Sequence, residues 1–86
     1  GNPAEFEARL SADPNDHEAR ISLSKIYNAK GDRDGAAEQL FTIMRKQRGW
    51  EEDKARRTLL ELFEAWGPMD PATLAARRQL SSMLFS

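Results

Sequence analysis

Apolar residues recur at three- and four-residue spacing in five stretches, separated by helix-start signals and glycines. Phe6 and Leu10 fall one turn apart behind Asn2-Pro3, a cap followed by a first-position proline. Asp13-Pro14-Asn15-Asp16 breaks that pattern. Asn15 with Glu18 three residues on reads as a capping-box variant, and Asp16 is a competing cap. A second helix runs to about Lys30 through Leu23, Ile26 and Tyr27, and Gly31 ends it. Asp32 and Asp34 open a third helix, through about Gln47, with a broad apolar face of Ala36, Ala37, Leu40, Phe41, Ile43 and Met44. Arg45, Lys46 and Arg48 lie in or near its last turn, where cations complement the helix dipole, and Gly49 closes it. A fourth helix follows Trp50, with Glu51, Glu52 and Asp53 at its positive end and a stripe of Ala55, Leu59, Leu62, Phe63 and Trp66. Gly67-Pro68 stops it, and Asp70-Pro71 opens a fifth helix carrying Leu74, Leu80, Met83 and Leu84. No stretch alternates as a strand would. The pattern predicts an all-α fold of five helices with short connections.

A shift of 36 residues superposes the landmarks: Leu23 on Leu59, Tyr27 on Phe63, Gly31 on Gly67, Ala36 on Ala72 and Met44 on Leu80. Each unit is a helix, a glycine turn and a second helix. The small residue after the glycine lets the two helices approach closely, and the aromatic before it fills the space alongside. One hairpin cannot bury both its faces, so the units are expected to stack.

Composition narrows the function. Eighty-six residues make one domain, with 40% apolar residues for a core and 31% charged residues for its surface. A net charge of −1 argues against a dedicated nucleic-acid binder. There is no cysteine, so no disulfide, thiol nucleophile or thiolate metal site. No apolar run approaches the ~20 residues needed to span a bilayer, and no signal-peptide pattern opens the chain. Gly1-Asn2 fits a cloning remnant, and the whole fits one domain cut from a longer protein. No His–acid pair, phosphate loop or metal-ligand spacing occurs, so an enzyme, a cofactor and a metal are not expected.

The 36-residue unit resembles the tetratricopeptide repeat, a 34-residue helical hairpin. Residues 17–50 match it through Leu23, Tyr27, Gly31-Asp32, Ala36 and Leu40, and depart from it at Arg20, Ser24 and Arg48, where Trp, Gly and Pro are usual. Residues 51–86 form a looser second repeat through Leu59, Phe63, Gly67 and Ala72, and residues 1–16 a leading half-repeat or cap. The segments Arg48-Gly49-Trp50-Glu51-Glu52-Asp53-Lys54-Ala55-Arg56 and Leu59 to Gly67 resemble, more specifically, the C-terminal domain of bacterial thioredoxin-like co-chaperones, the chaperedoxins. The closing Arg77-Arg78-Gln79-Leu80 and Leu84-Phe85 fit that ending, while Trp66 stands where a smaller aliphatic is expected. The resemblance implies a cytoplasmic holdase, acting in the stress response, that binds unfolded or partly folded proteins. It further implies cooperation with the chaperonin or DnaK system, and a thioredoxin fold N-terminal to this domain.

In tetratricopeptide hairpins the first helix lines a concave groove, so the resemblance places Ile21, Lys25 and Asn28 there, with Lys54, Arg57, Glu61 and Glu64 from the next unit. Ile21 stands out as an apolar residue beside the Leu23–Tyr27 stripe with no core to serve. An ordinary solvated face is the alternative for this set. The Lys/Asn arrangement that captures C-terminal carboxylates in chaperone-binding repeats is not evident. Trp50 has two fates open: a staple against the third or fourth helix, the commoner one, or a partly exposed interface anchor. Trp66 reads as a core or inter-helix contact.

Phe85 ends a Met83-Leu84-Phe85 run that either caps the third and fourth helices or projects toward a partner. His17 reads as a solvated first-turn residue, and Glu51-Glu52-Asp53 as helix-dipole acids rather than a cation site. Residues 45–57 hold six cations against three anions, and residues 1–18 hold five anions against one cation. That contrast suits a partner-facing patch or a plain solvated surface, and less well a nucleic-acid patch on the basic side. A non-catalytic protein-interaction module is the expected function, either a co-chaperone's client-binding domain or a scaffold for one specific peptide.

Overall fold

The computed structural model describes residues 2–86, and among them five α-helices form: α1 (Pro3–Ala12), α2 (His17–Ala29), α3 (Arg33–Lys46), α4 (Trp50–Trp66) and α5 (Pro71–Phe85). Short polar side chains start most of them. Asn2 accepts from the Ala4 N–H, Asp16 from Ala19, Asp32 from Gly35 and Asp70 from Ala72. Asp16, rather than Asn15, is therefore the cap of α2. Its ion pair with Arg9, 2.9 Å away, and the Ala19 N–H together hold its carboxyl below the usual aspartate range.

Glycines make the two hairpin turns. Gly31 has φ +87, its N–H bonds to the Asn28 carbonyl and the Asp32 N–H reaches the Tyr27 carbonyl, the paired bonds that close a helix end in a left-handed cap. Gly67 sits at φ 96, ψ 154, a region open almost only to glycine. The third predicted stop differs. Helix α3 ends at Lys46 on an extended Gln47, and Gly49 keeps an ordinary negative φ of −84.

Hydrogen bonds fix how the helices lie. His17 at the start of α2 meets Gln47 just past α3, while Ser24 Oγ donates to the Ala36 carbonyl nearer the turn, so α2 and α3 are antiparallel. Between hairpins the pairs run start to start and end to end. Lys54 reaches Glu18 and Trp66 reaches Asn28, which sets α4 parallel to α2. Arg33 pairs with Asp70, and Arg48 donates to the Met83 carbonyl, which sets α5 parallel to α3. These four links join residues 36, 38, 37 and 35 positions apart, so the 36-residue sequence repeat is also a spatial one. Helix α1 packs on α2. The shortest dimension, 17 Å between outer Cα atoms, corresponds to two helix layers.

Helix α3 supplies most of the core: Ala36, Ala37, Leu40, Phe41, Ile43 and Met44 are all buried. Ile21, Ala55, Leu59, Leu62, Phe63, Ala76 and Leu80 complete one continuous cluster with them. Helix α5 keeps less of its predicted stripe. Leu80 is buried, but Leu74 and Leu84 are each 38% exposed, because the inward face of α5 is carried by Thr73, Ala76 and Leu80.

A Cβ added at Gly67 would meet no neighbouring atom within 4 Å, so a substitution there tests backbone conformation alone. Gly67→Ala should destabilise by about 1–3 kcal/mol. Gly49→Ala, at an unstrained φ, should change stability by less than about 0.5 kcal/mol. Urea unfolding of the two variants checks the contrast.

Candidate protein-interaction surface

Side chains of α2 and α4 meet near both ends of the two helices, at Glu18–Lys54 and at Asn28–Trp66, so part of the predicted groove chemistry joins the two hairpins. Asn28 Oδ1 accepts a 2.7 Å bond from Trp66 Nε1. Lys54 pairs with Glu18 at 3.2 Å and lies 5.6 Å from the centre of the Trp50 ring. Ile21 is 3% exposed and belongs to the core, so the expectation that it serves none is corrected. A broad apolar arc on α2, extended to Ile21 by the packing of a second hairpin, accounts for it. Lys25, Glu61 and Glu64 are exposed.

Trp50 is half-buried and meets His17 edge to face, with ring centroids 5.2 Å apart. His17 is 6% exposed, with Nε2 3.2 Å from Gln47 Oε1, and is not the solvated residue the sequence suggested. The residues that bury it, Gln47 and Trp50, lie thirty or more positions away, and local spacing carries no signal of them.

The acidic triplet also departs from expectation. Glu51, Glu52 and Asp53 have φ of 50, 56 and 60, a left-handed turn, and right-handed helix begins only after them. Three non-glycine residues in this region are costly, roughly 1–2 kcal/mol each. Arg57 offsets part of that cost, donating from Nε to the Glu52 carbonyl and from its terminal nitrogen to the Glu51 carbonyl, both at 3.0 Å. Arg57 is thus a clasp on this turn rather than a free groove cation. Asp53 lies 3.8 Å from Arg56.

Beside this turn is a recess of about 260 Å³, lined by Met44, Arg48, Asp53, Arg56 and Leu84. It was missed in the sequence because its walls come from three helices. Phe85, 85% exposed, lies at the end of α5, next to Leu84 of this recess. Among the described residues no cluster of acidic or histidine side chains has metal-binding geometry. Nor is any helix long and apolar enough to cross a membrane.

The stacked hairpins agree with a comparison of the sequence against known families, in which the tetratricopeptide repeat matches residues 1–85. The chain belongs to the tetratricopeptide repeat family. Members of this family are typically non-catalytic modules that mediate protein–protein interaction. Uncharacterized proteins of Mycobacterium bovis and of two strains of Mycobacterium tuberculosis are each 33% identical to it over 70 residues. That match covers 81% of this chain but only 23% of each relative, so the chain spans about a quarter of their length. No solved structure matches it.

Within this tetratricopeptide domain, the Asn28–Trp66 bond is a direct tie between repeats. Asn28→Ala and Trp66→Phe should each destabilise, and a double-mutant cycle should give a coupling of about 1 kcal/mol. Additive effects in thermal or urea melts would show that the two side chains act separately.

Proposed function

We propose that this tetratricopeptide domain is the client-binding part of a thioredoxin-like co-chaperone, a holdase that retains unfolded or partly folded proteins. The observation that carries the reading is the apolar surface left open: Met69 is 77% and Phe85 85% exposed, with Leu60, Leu74 and Leu84 also accessible. Contiguous exposed apolar patches, rather than single side chains, mark interaction sites, so the reading requires these residues to engage a client together. The resemblance of the Arg48–Gly67 segment to chaperedoxins supports the same reading.

In this proposal residues 17–50 and 51–86 are two repeats, with residues 1–16 a leading half-repeat, and a thioredoxin fold precedes them. The length of the relatives leaves room for such a domain. A cytoplasmic protein that passes clients to the chaperonin or DnaK system follows from that reading. Lys25, Glu61 and Glu64 are its free groove positions, and Phe85 is its apolar anchor.

The alternative, a scaffold for one specific peptide, is favoured by the recess at Met44 and Leu84, which is sized for a single side chain. Aggregation of a heat-unfolded test protein separates the two. A holdase slows it in proportion to its concentration, and Met69→Ser with Phe85→Ser weakens retention roughly fivefold, the loss expected on removing interface anchors. No suppression, together with capture of one stoichiometric protein, would favour the scaffold and reject the holdase.

A further inference from the structure

We propose that the recess between α3, α4 and α5 binds an acidic peptide segment through one bulky apolar side chain. The inference rests on the protein-binding role of the family, and not on the choice between holdase and scaffold. Met44, 4% exposed, and Leu84, 38% exposed, provide the apolar walls. At about 260 Å³ the space is below the range of sites for whole small molecules, roughly 300–1,000 Å³, and suits one anchoring side chain.

The rim sets the chemistry of what flanks that anchor. It carries two guanidinium groups, Arg48 and Arg56, against one carboxylate, Asp53. Arg48 donates to the Met83 carbonyl at 2.9 Å, which holds the group at the rim and leaves its other donors free. Arg56 meets Asp53 only loosely, at 3.8 Å, so a ligand carboxylate placed for a two-point bond would pair more closely. Asp53 is itself held in the left-handed turn, which fixes its backbone beside the recess. Of the other cations in residues 45–57, Arg45 pairs with Glu38 and Lys54 with Glu18, so Arg48 and Arg56 at the rim carry the preference for an acidic partner.

A second copy of the chain is a poorer occupant through its own exposed end. The run from Arg77 to Ser86 contains Arg77 and Arg78 and no acidic side chain, so it would bring cations to a cationic rim. An acidic segment with an embedded aromatic or leucine side chain fits both the walls and the rim.

The test is an amide NMR titration of the 86-residue chain with a capped five-residue peptide, a central phenylalanine flanked on each side by two acidic residues. Shifts should centre on the amides of Met44, Arg48, Asp53, Arg56 and Leu84. Replacing the phenylalanine by alanine, or the acids by lysines, should weaken binding about tenfold or more, as should Arg56→Gln. Leu84→Asp, at an exposed position, should also weaken it while the thermal melt stays cooperative. Shifts centred elsewhere, equal binding of the lysine peptide, or unchanged affinity in both folded variants would overturn the proposal. So would self-association through the recess with no binding of the peptide. None of these outcomes bears on whether the chain suppresses aggregation.

Discussion

Everything in this molecule leans on α3. Its six buried side chains, Ala36, Ala37, Leu40, Phe41, Ile43 and Met44, form an apolar face too broad for one neighbour to cover. Helices α2, α4 and α5 all pack against it. A hairpin of α2 and α3 alone would leave in water the part of that face that α4 and α5 cover, so the second hairpin is a requirement of the first. Small residues make the closeness possible: Ala36 is fully buried, and Ser24 opposite it is small enough to pack there while its hydroxyl bonds to the Ala36 carbonyl. The serine thereby fills a position where glycine is usual, without leaving a buried polar group unpaired.

The links between hairpins show how an imperfect repeat is held in register. Glu18 with Lys54, Asn28 with Trp66, Arg33 with Asp70 and Arg48 with the Met83 carbonyl each join near-equivalent positions of the two units. The cations of both ion pairs remain open to solvent, and the pairs contribute little to stability. They discriminate instead between stacking registers, since a shift of one helical turn separates all four at once. The cost falls on the predicted groove, where Asn28 and Lys54 serve the seam, and Arg57 is engaged by the strained acidic turn.

Much of this fold was legible because it is local. Helix starts at Asp32 and Asp70 followed from short polar side chains, and the turns at Gly31 and Gly67 followed from glycine spacing. The 36-residue shift was legible because stacking requires equivalent positions to repeat. What was not legible depends on partners far along the chain. His17 looked solvated because Trp50 and Gln47, which bury it, are remote in sequence. Ile21 looked free because its core comes from later helices. Leu74 and Leu84 looked buried because the rotation of α5, set by Thr73, Ala76 and Leu80, is decided by packing against α3 and α4. The left-handed turn at Glu51–Asp53 had no signal at all, since acidic residues before a helix normally read as dipole partners. The tetratricopeptide architecture was thus readable, but the interaction surface only in part.

The central claim is that α3 makes the two hairpins a single cooperative unit. Native-state hydrogen exchange measured against denaturant tests it most directly. The account predicts that core amides of α3, at Leu40, Phe41 and Ile43, and the Leu59 amide of α4 open with one common free energy equal to that of global unfolding. It also predicts that α1, which has no buried residue, exchanges earlier. If α4 and α5 exchanged as a separate, weaker unit while α2 and α3 stayed protected, the claim would be contradicted.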